Sequence, residues 1–367
     1  MKPITIGIGV AVALVAAGWA GNSREPKNDP VAIAVAKGAR WLASVQGNDG
    51  GWGQDGGETS YIRQGEHLES NGNDVANTAV AVIALRRAGK EYQPAAGRGL
   101  AFILRNVERS PQEGLAVTNL NGTQIQRKLG PFIDTFLTSM LLSEVDGTLP
   151  NATENLRVRK ALEKCVSKIE RNQQKDGSWN LAGGWAPILG TSMASRSLYG
   201  ARQKGVMVED RVMARADDYT KKSFGTVGGV PGGVAGIPAA IPAAAGVPLY
   251  QSAQALEQLS RTEKDRKENA DQIAAIKSQL GQARFVNGFG SMGGEEFFSY
   301  LNISDSLRRT GGEDWARWHA QVADRILKMQ NEDGTWAGHH CITGRVATTS
   351  AAILNLMVDG EPRNARQ

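Results

Sequence analysis

The sequence predicts an all-α protein in which six helical hairpins form a closed ring, an α/α toroid. Three observations predict this fold: a turn motif that occurs three times, a small apolar helix after each turn, and a spacing between hairpins of roughly 60 residues. That spacing is longer than in most solenoid helix pairs and suits a ring that closes on itself. With 367 residues and 41% hydrophobic content, the chain can bury a large core.

The turn motif has the pattern Gln-x-x-Asp-Gly-x-Trp and follows a helical stretch each time. Asp-Gly supplies a turn, because Gly accepts the positive φ that ends the preceding helix. The Trp then packs against the helix just ended, and the Gln amide pairs with backbone groups left open at helix ends. The motif residues are Gln46, Asp49 and Trp52; Gln173, Asp176 and Trp179; and Gln330, Asp333 and Trp336.

Each turn is followed by a helix of small apolar residues, at 78–85, 191–198 and 348–356. A helix that is apolar nearly all round is buried, so each unit pairs an amphipathic outer helix with a buried inner one. The gaps contain three weaker copies, which brings the total to six. Their predicted outer helices cover 94–107, 209–223 and 264–283, and their inner helices cover 132–142, 250–259 and 296–307.

The N-terminus has the pattern of a secretory signal. Lys2 precedes an uncharged apolar run over 4–17, the small residues Gly18 and Ala20 follow on either side of Trp19, and polar sequence begins at Asn22. We therefore expect an exported protein, periplasmic or secreted. The alternative is an uncleaved anchor formed by residues 4–20.

These patterns divide the chain into a signal peptide or N-terminal anchor, a linker, the toroid and a short tail. The toroid contains an uncharged segment rich in Gly, Pro and Ala, which we expect to be a flexible insertion between helices; an apolar lid over the mouth of the ring is the alternative. The predicted bounds are 1–21 for the signal or anchor, 22–30 for the linker, 31–360 for the toroid, 225–248 for the insertion and 361–367 for the tail.

Charge and cysteine content exclude some classes of function. The net charge is +5, and basic and acidic residues are interleaved without a basic stripe, so we expect no nucleic-acid partner. Membrane contact is expected only through the N-terminal segment, if it is uncleaved. The two cysteines, Cys165 and Cys341, do not form a disulfide framework, and Cys165 lies on a helical apolar pattern that predicts a buried thiol.

The Gln-x-x-Asp-Gly-x-Trp turns resemble the repeat of squalene and other terpene cyclases, and the related turns of protein prenyltransferase β subunits and complement-type thioester domains. The resemblance covers nearly all of the chain after residue 30. It implies an α6/α6 barrel with parallel inner helices, whose N-termini meet at one mouth around a substrate cavity.

The motifs that carry chemistry in those families are missing. Triterpene cyclases protonate their substrate with Asp-x-Asp-Asp, and here the closest match reads Asp74-Val-Ala76-Asn77. Neither cysteine lies in the Cys-Gly-Glu-Gln sequence of thioester domains, and the Asp-x-Cys of zinc-binding prenyltransferases does not occur. The resemblance therefore implies the fold, while cyclase chemistry by the usual route is not expected.

Two polar segments are candidate sites. The first contains His339, His340 and Cys341, before the sixth inner helix, and the second contains Glu295 and Glu296, at the start of the fifth. Imidazole, thiolate and carboxylate all ligate zinc, so the two segments could form a Zn site if they meet at the mouth. The alternatives are a hydrogen-bonded loop with a buried thiol, and glutamates that only complement a helix N-terminus.

Two functions remain open. The first is binding of a small-molecule or protein ligand at the mouth, without cyclase chemistry. The second is a toroid enzyme, a metal-dependent transferase or hydrolase or a lyase or cyclase, that uses Glu295 or Glu296 with the 339–341 segment. The candidate catalytic residues are Glu295, Glu296 and Asp134, and the candidate ligand-binding residues are Asp74, Asn77, Thr78, Tyr300, Arg345 and Thr348.

Overall fold

The computed structural model describes residues 29–57, 72–179, 187–225, 246–287 and 293–358. Within these ranges the regular elements are helices, and Trp52 and Asp74 form an isolated bridge. The α-helices are α1 (Pro30–Ser44), α2 (Val75–Ala88), α3 (Gln93–Arg109), α4 (Gln124–Leu129), α5 (Ile133–Val145), α6 (Ala152–Arg171), α7 (Pro187–Gln203), α8 (Asp210–Gly225), α9 (Gly246–Leu259), α10 (Glu263–Glu268), α11 (Ala270–Gln279), α12 (Ala283–Val286), α13 (Gly294–Thr310), α14 (Gly312–Lys328) and α15 (Arg345–Met357); a 3-10 turn covers Lys90–Tyr92.

Six of these helices form a closed inner ring. In ring order they are α2, α5, α7, α9, α13 and α15; each packs against the next, and α15 packs against α2. The helices α1, α3, α6, α8, α11 and α14 pack outside this ring, and α4, α10 and α12 lie in the connections. The predicted all-α toroid of six hairpins is confirmed.

Burial separates the two layers. In α2 every residue from Val75 to Leu85 is buried, and its many alanines allow neighbouring helices to approach closely. In the outer helix α14 the buried residues form a single stripe, Trp315, Trp318, Val322 and Ile326. The apolar-all-round pattern therefore corresponds to the inner ring, and the amphipathic pattern to the outer layer.

The three turn motifs have the same structure. In each, the Trp indole N–H donates to a carbonyl near the end of the preceding outer helix, and the Trp backbone N–H donates to a Thr hydroxyl at the start of the next inner helix. The indole bonds are Trp52 to Leu42 (2.8 Å), Trp179 to Ile169 (2.8 Å) and Trp336 to Ile326 (2.7 Å). The backbone bonds are Trp52 to Thr78 (2.9 Å), Trp179 to Thr191 (3.3 Å) and Trp336 to Thr349 (3.0 Å).

The motif Gln connects each turn to the next outer helix. The Gln46 side-chain amide donates to the carbonyl of Gly50 in its own turn and to that of Ala95 on α3. Gln173 makes the equivalent pair of bonds with Gly177 and with Val212 on α8. Gln330 donates to Gly334 and to Ala34 on α1, so the last unit is bonded to the first and the ring is closed.

The predicted continuous helix over 264–283 is wrong. It is divided into α10, α11 and α12, and the first break lies at Asn269. The Asn269 side-chain amide donates to the carbonyls of Asp265 and Leu259, so it caps α10 and replaces the backbone bonds that would continue the helix.

Several expectations concern residues outside the described ranges. These are the signal segment 1–21, nearly all of the linker, most of the insertion at 225–248, and the tail. Among the helices that the structure does describe, none has both the length and the apolar character needed to cross a bilayer.

We expect Gln330→Ala to lower the free energy of unfolding by about 1–2 kcal/mol, because it removes two bonds to backbone carbonyls at the ring closure. Urea unfolding followed by circular dichroism would measure this. Gln282→Ala is the matched control, since Gln282 is exposed and its side chain makes no hydrogen bond within the described chain. Equal stability of the two variants would show that the closure bond contributes nothing.

Candidate active site at the rim of the ring

The segments that precede α2, α5 and α15 are joined by a chain of side-chain amides. Gln54 donates to Oε1 of Gln124 (2.9 Å), and Gln124 donates to the Thr343 hydroxyl (3.0 Å). Oε1 of Gln124 also accepts the backbone N–H of Thr343 (3.0 Å). These contacts place the N-termini of three inner helices at the same face of the toroid, which we call the rim.

The start of α13 joins the same rim. The backbone N–H of Gly294 donates to the carbonyl of Ile342 (3.0 Å), and the backbone N–H of Ile342 donates to Oε2 of Glu295 (3.2 Å). The structure therefore brings the Glu295 segment and the 339–341 segment together.

Two buried aspartates connect α2 and α5 at the rim. Asp74 is the N-cap of α2 and accepts the backbone N–H and the side-chain amide of Asn77, both at 2.7 Å. Asp134, in the first turn of α5, accepts the backbone N–H of Ala76 (3.0 Å) and the side-chain amide of Gln126 (2.7 Å). All four carboxyl oxygens are thus paired with protein donors.

Burial controls the ionisation of this pair. It raises the pKa of the Asp74 carboxyl to about 7, with the charge of nearby Asp134 as the second cause. Burial likewise raises the pKa of Asp134 to about 6. The local sequence motif lacks a second carboxylate, and the next inner helix supplies one, Asp134, near Asp74.

Three of the predicted ligand-binding residues are used inside the repeat. Thr78 and Thr348 are fully buried, and Asn77 is 3% exposed. The Thr78 hydroxyl accepts from Trp52 and donates to the carbonyl of Asp74, and the Thr348 hydroxyl donates to the carbonyl of Gly344. They support the helix starts and do not face a described pocket.

Two others lie away from the rim centre. Tyr300 is buried against the outer layer, where its ring meets Trp318 of α14 edge to face, with centroids 5.6 Å apart. Arg345 lies 3.2 Å from Asp333 and over the ring of Trp41. Both side chains therefore connect the inner ring to outer elements.

The cluster that remains consists of Glu295, His340 and Cys341. One possible ligand atom from each lies within 4.8 Å of the other two. Glu295 is fully buried, and its Oε1 accepts no hydrogen bond within the described chain. Burial, and next the charge of Glu296, raise the pKa of Glu295 to about 7. We call these three residues the rim cluster.

Glu296 supports the cluster from the side. Its Oε1 accepts the hydroxyl of Tyr250 on α9 (2.9 Å), and its Oε2 accepts the backbone N–H of Gly293 (2.9 Å). Nε2 of His340 lies 3.6 Å from Oε1 of Glu296, beyond hydrogen-bond distance. Tyr250 is not among the site residues predicted from the sequence, where its only signal is a tyrosine at the start of a predicted inner helix.

His339 is not part of the cluster. Its side chain is exposed, whereas His340 and Cys341 are partly buried. Of the two adjacent histidines, only His340 has a ring nitrogen within 4.8 Å of ligand atoms of Glu295 and Cys341 among the described residues. Of the three residues predicted as metal ligands, His340 and Cys341 lie beside Glu295, and His339 lies outside this group.

Cys341 has an unusual backbone. Its φ is 55°, and it is the only non-glycine residue with positive φ among those that the structure describes. This left-handed conformation is unfavourable for a residue with a Cβ, and such strain is found mainly at functional sites.

Comparison with known proteins supports the repeat assignment in the first part of the chain. Residues 15–123 match the family model of the squalene-hopene cyclase C-terminal domain. The squalene–hopene cyclase of Bradyrhizobium diazoefficiens is 38% identical over 77 residues, which are 21% of this chain and 11% of that protein. A probable squalene–hopene cyclase of Sinorhizobium fredii is 35% identical over 69 residues, 19% of this chain and 10% of that protein. The resemblance to the squalene-cyclase repeat is confirmed.

The aligned segment spans about a tenth of the length of these curated relatives. Among solved structures, the type II terpene cyclase MstE from Scytonema, without ligand, aligns with 90% of this chain and 98% of its own, at 9% identity and a TM-score of 0.37. A MstE variant in complex with its product, merosterolic acid A, aligns with 91% and 98% at 10% identity and a TM-score of 0.37. The family match includes Asp74 and Asn77 but neither Glu295 nor His340.

The buried aspartates predict a pH-dependent stability. Their folded pKa values, about 7 and about 6, exceed the ordinary value of 3.8, so the folded state holds their protons more tightly than the unfolded state. Their contribution is complete below pH 3.8 and is lost as the pH rises to about 7. We expect urea midpoints to fall over this interval.

Asp74→Asn should reduce the loss of stability with rising pH. The loss in the free energy of unfolding should be smaller by about 1.4 kcal/mol for each unit by which the folded pKa of Asp74 exceeds its unfolded pKa. Asn is also a good N-cap. The Asn77 amide can rotate by about 180° so that its oxygen accepts a hydrogen bond from the introduced amide N–H. Asp210→Asn, at a 96% exposed carboxylate, is the control. An unchanged pH dependence in Asp74→Asn would contradict the expectation.

Proposed function

We propose that this chain is an exported, squalene-cyclase-like toroid that binds a zinc ion at the rim, and through it a ligand, and that it does not cyclise terpenes. The observation that carries the proposal is the convergence of Glu295, His340 and Cys341, whose candidate ligand atoms lie within 4.8 Å of one another. Export rests on the signal-like pattern of residues 1–21.

The donors fit zinc better than the other common metal ions. A thiolate, an imidazole and a carboxylate are typical zinc ligands, whereas magnesium and calcium take oxygen ligands. Oε1 of Glu295, buried without a partner, is the kind of atom that a cation would satisfy. The backbone also leaves room: a Cβ at Gly293 would lie 2.9 Å from both Oε2 of Glu295 and Nδ1 of His340.

Three protein ligands are the number found in catalytic zinc sites, which keep a fourth position open. A zinc ion held there would offer that position to an oxygen atom of a ligand or of water. Glu296, held by Tyr250 and the Gly293 N–H, lies beside His340 and adds a second carboxylate next to the ion. Whether the bound ligand is then converted depends on the ligand, and binding is the function that the geometry supports.

Two observations argue against terpene cyclisation. The positions that would carry the paired acids are Ala76 and Asn77, and every oxygen of Asp74 and Asp134 is already paired. In addition, Arg196 on α7 donates to Asn302 on α13 (2.6 Å) and forms an ion pair with Asp305.

Because α9 stands between α7 and α13 in the ring, these bonds cross the inside of the toroid. Burial lowers the pKa of Arg196 to about 10, so it stays charged at neutral pH. A charged guanidinium and its partners inside the ring are unfavourable surroundings for an isoprenoid chain.

The zinc proposal predicts about one equivalent of zinc per chain after dialysis against zinc-containing buffer, measured by mass spectrometry of the metal. His340→Ala and Cys341→Gly should each lose most of it, because each removes one of three ligands. Glycine accepts the positive φ of position 341, so Cys341→Gly should remain folded and lose the metal without a loss of apo-protein stability.

His339→Ala is the matched control and should retain its zinc, because this neighbouring imidazole is exposed and outside the cluster. Zinc at background level in the unmodified protein would overturn the proposal. Loss of zinc in His339→Ala but not in His340→Ala would show that the ligand set is wrong.

Incubation with squalene should give no cyclic product by gas chromatography and mass spectrometry, since every oxygen of Asp74 and Asp134 is already paired with a protein donor. A squalene–hopene cyclase assayed in parallel serves as the positive control. Formation of a cyclic triterpene that depends on Asp134 would refute this part of the proposal.

A further inference from the structure

We propose a second binding site, for an anionic sugar of the uronate class, on the outside of the toroid between α3 and the first turn motif. A pocket of about 470 Å³ opens there. Its walls include Asn73, Phe102, Arg105, Asn106, Arg109 and Asn119, and we call it the α3 pocket. It shares no residue with the rim cluster, so it can be tested independently of the zinc proposal.

The walls of the pocket are held by the fold. On one side the Asp49 carboxylate accepts the Asn73 side-chain amide (2.6 Å) and the backbone N–H of Gly51 (2.8 Å). Arg105 donates to the backbone carbonyl of Asp49 (2.6 Å), which joins α3 to the turn. The opposite wall is the segment 117–120, whose Leu120 carbonyl accepts the amide of Gln126 on α4 (2.9 Å).

The charge of the pocket favours a monoanion. Arg105 and Arg109 lie four residues apart on α3, and like charges at this spacing repel each other. The adjacent acid, Glu108, is bonded to Arg157 on α6 and does not neutralise them. Asp49 is the one acidic side chain in the wall, so the two arginines leave a net charge of about +1.

Arg109 supplies the anion-binding group. Its guanidinium is exposed and, within the part of the chain that the structure describes, has no hydrogen bond or ion pair. A guanidinium fork matches the two oxygens of a carboxylate, which makes a carboxylate the simplest ligand for this position.

The remaining walls fit a sugar ring. The side-chain amide of Asn119 offers both a donor and an acceptor, as hydroxyl groups require. The amides of Asn73 and Asn106 donate to Asp49 and to the Phe102 carbonyl, and they add polar atoms to the wall. Phe102 provides an apolar surface for the C–H face of a ring, and its own edge packs on the turn, where a Cβ at Gly51 would lie 2.9 Å away. Charge, amides and an aromatic ring together select a ligand that is both anionic and hydroxyl-rich.

The test is titration of the full chain at low ionic strength with three probes: glucuronate, glucose and acetate. Isothermal calorimetry or ligand-detected NMR should show glucuronate binding at least about tenfold more tightly than either glucose, which lacks the charge, or acetate, which lacks the hydroxyls. Arg109→Gln should weaken glucuronate binding by about tenfold or more. Arg40→Gln is the matched control, since Arg40 is an exposed arginine on the outer helix α1 and lies outside the pocket.

Asn119→Ala provides a second variant on the opposite wall and should also weaken binding, with circular dichroism confirming that each variant is folded. The proposal is overturned if glucuronate does not bind, if glucose or acetate binds as tightly, or if Arg109→Gln and Arg40→Gln behave alike. Inorganic phosphate that binds more tightly than glucuronate would overturn the uronate assignment. None of these outcomes depends on zinc, and the zinc measurements do not depend on them.

Discussion

The pairing of polar groups at helix ends is the constraint on which this toroid depends. Twelve long helices in two layers expose many backbone N–H and C=O groups at their termini, and these groups need partners when they are buried. The turn motif meets that need in both layers at once. The Trp indole satisfies a carbonyl near the end of the outer helix, the Thr at the next helix start receives the Trp backbone N–H, and the Gln joins the following unit. Units that follow one another along the chain are therefore neighbours in the ring. The hydrogen bond from Gln330 to the carbonyl of Ala34 joins the last unit to the first.

The parts of this fold that could be predicted from sequence are those in which a short sequence pattern is compatible with a single local structure. Asp-Gly followed by Trp predicts where outer helices end, and an apolar-all-round pattern predicts which helices form the inner ring. The division of 264–283 into three helices could not be predicted, because Asn269 acts through bonds to Asp265 and to Leu259, and the second of these requires the tertiary arrangement. The role of Gln54 and Gln124 in joining three helix starts has no local signal either, since the two residues are 70 positions apart.

The candidate site was predictable only in its position. Parallel inner helices place all their N-termini on the same side, so the segments containing Glu295 and His340 had to meet. The sequence could not show which polar side chains would remain available there. Thr78 and Thr348 were plausible ligand contacts, but the repeat uses both of them, and the choice between His339 and His340 depends on loop backbone geometry. The residue types in these segments indicate which chemistry is possible at the rim. The packing of the loops and helix starts determines which of those residues meet there.

Three of the buried rim carboxyls differ in how their oxygens are paired. Asp74, Asp134 and Glu295 are all almost inaccessible to solvent, and burial raises the pKa of each. Asp74 and Asp134 have every oxygen paired with a protein donor, and this satisfaction identifies them as connections between α2 and α5. Glu295 keeps Oε1 without a hydrogen-bond partner in the described chain, which costs about 1–3 kcal/mol for a buried polar group. That cost is accepted beside an imidazole and beside a cysteine in a strained backbone conformation. A bound cation would offset this cost, and this separates Glu295 from the aspartate pair, whose oxygens already have protein donors.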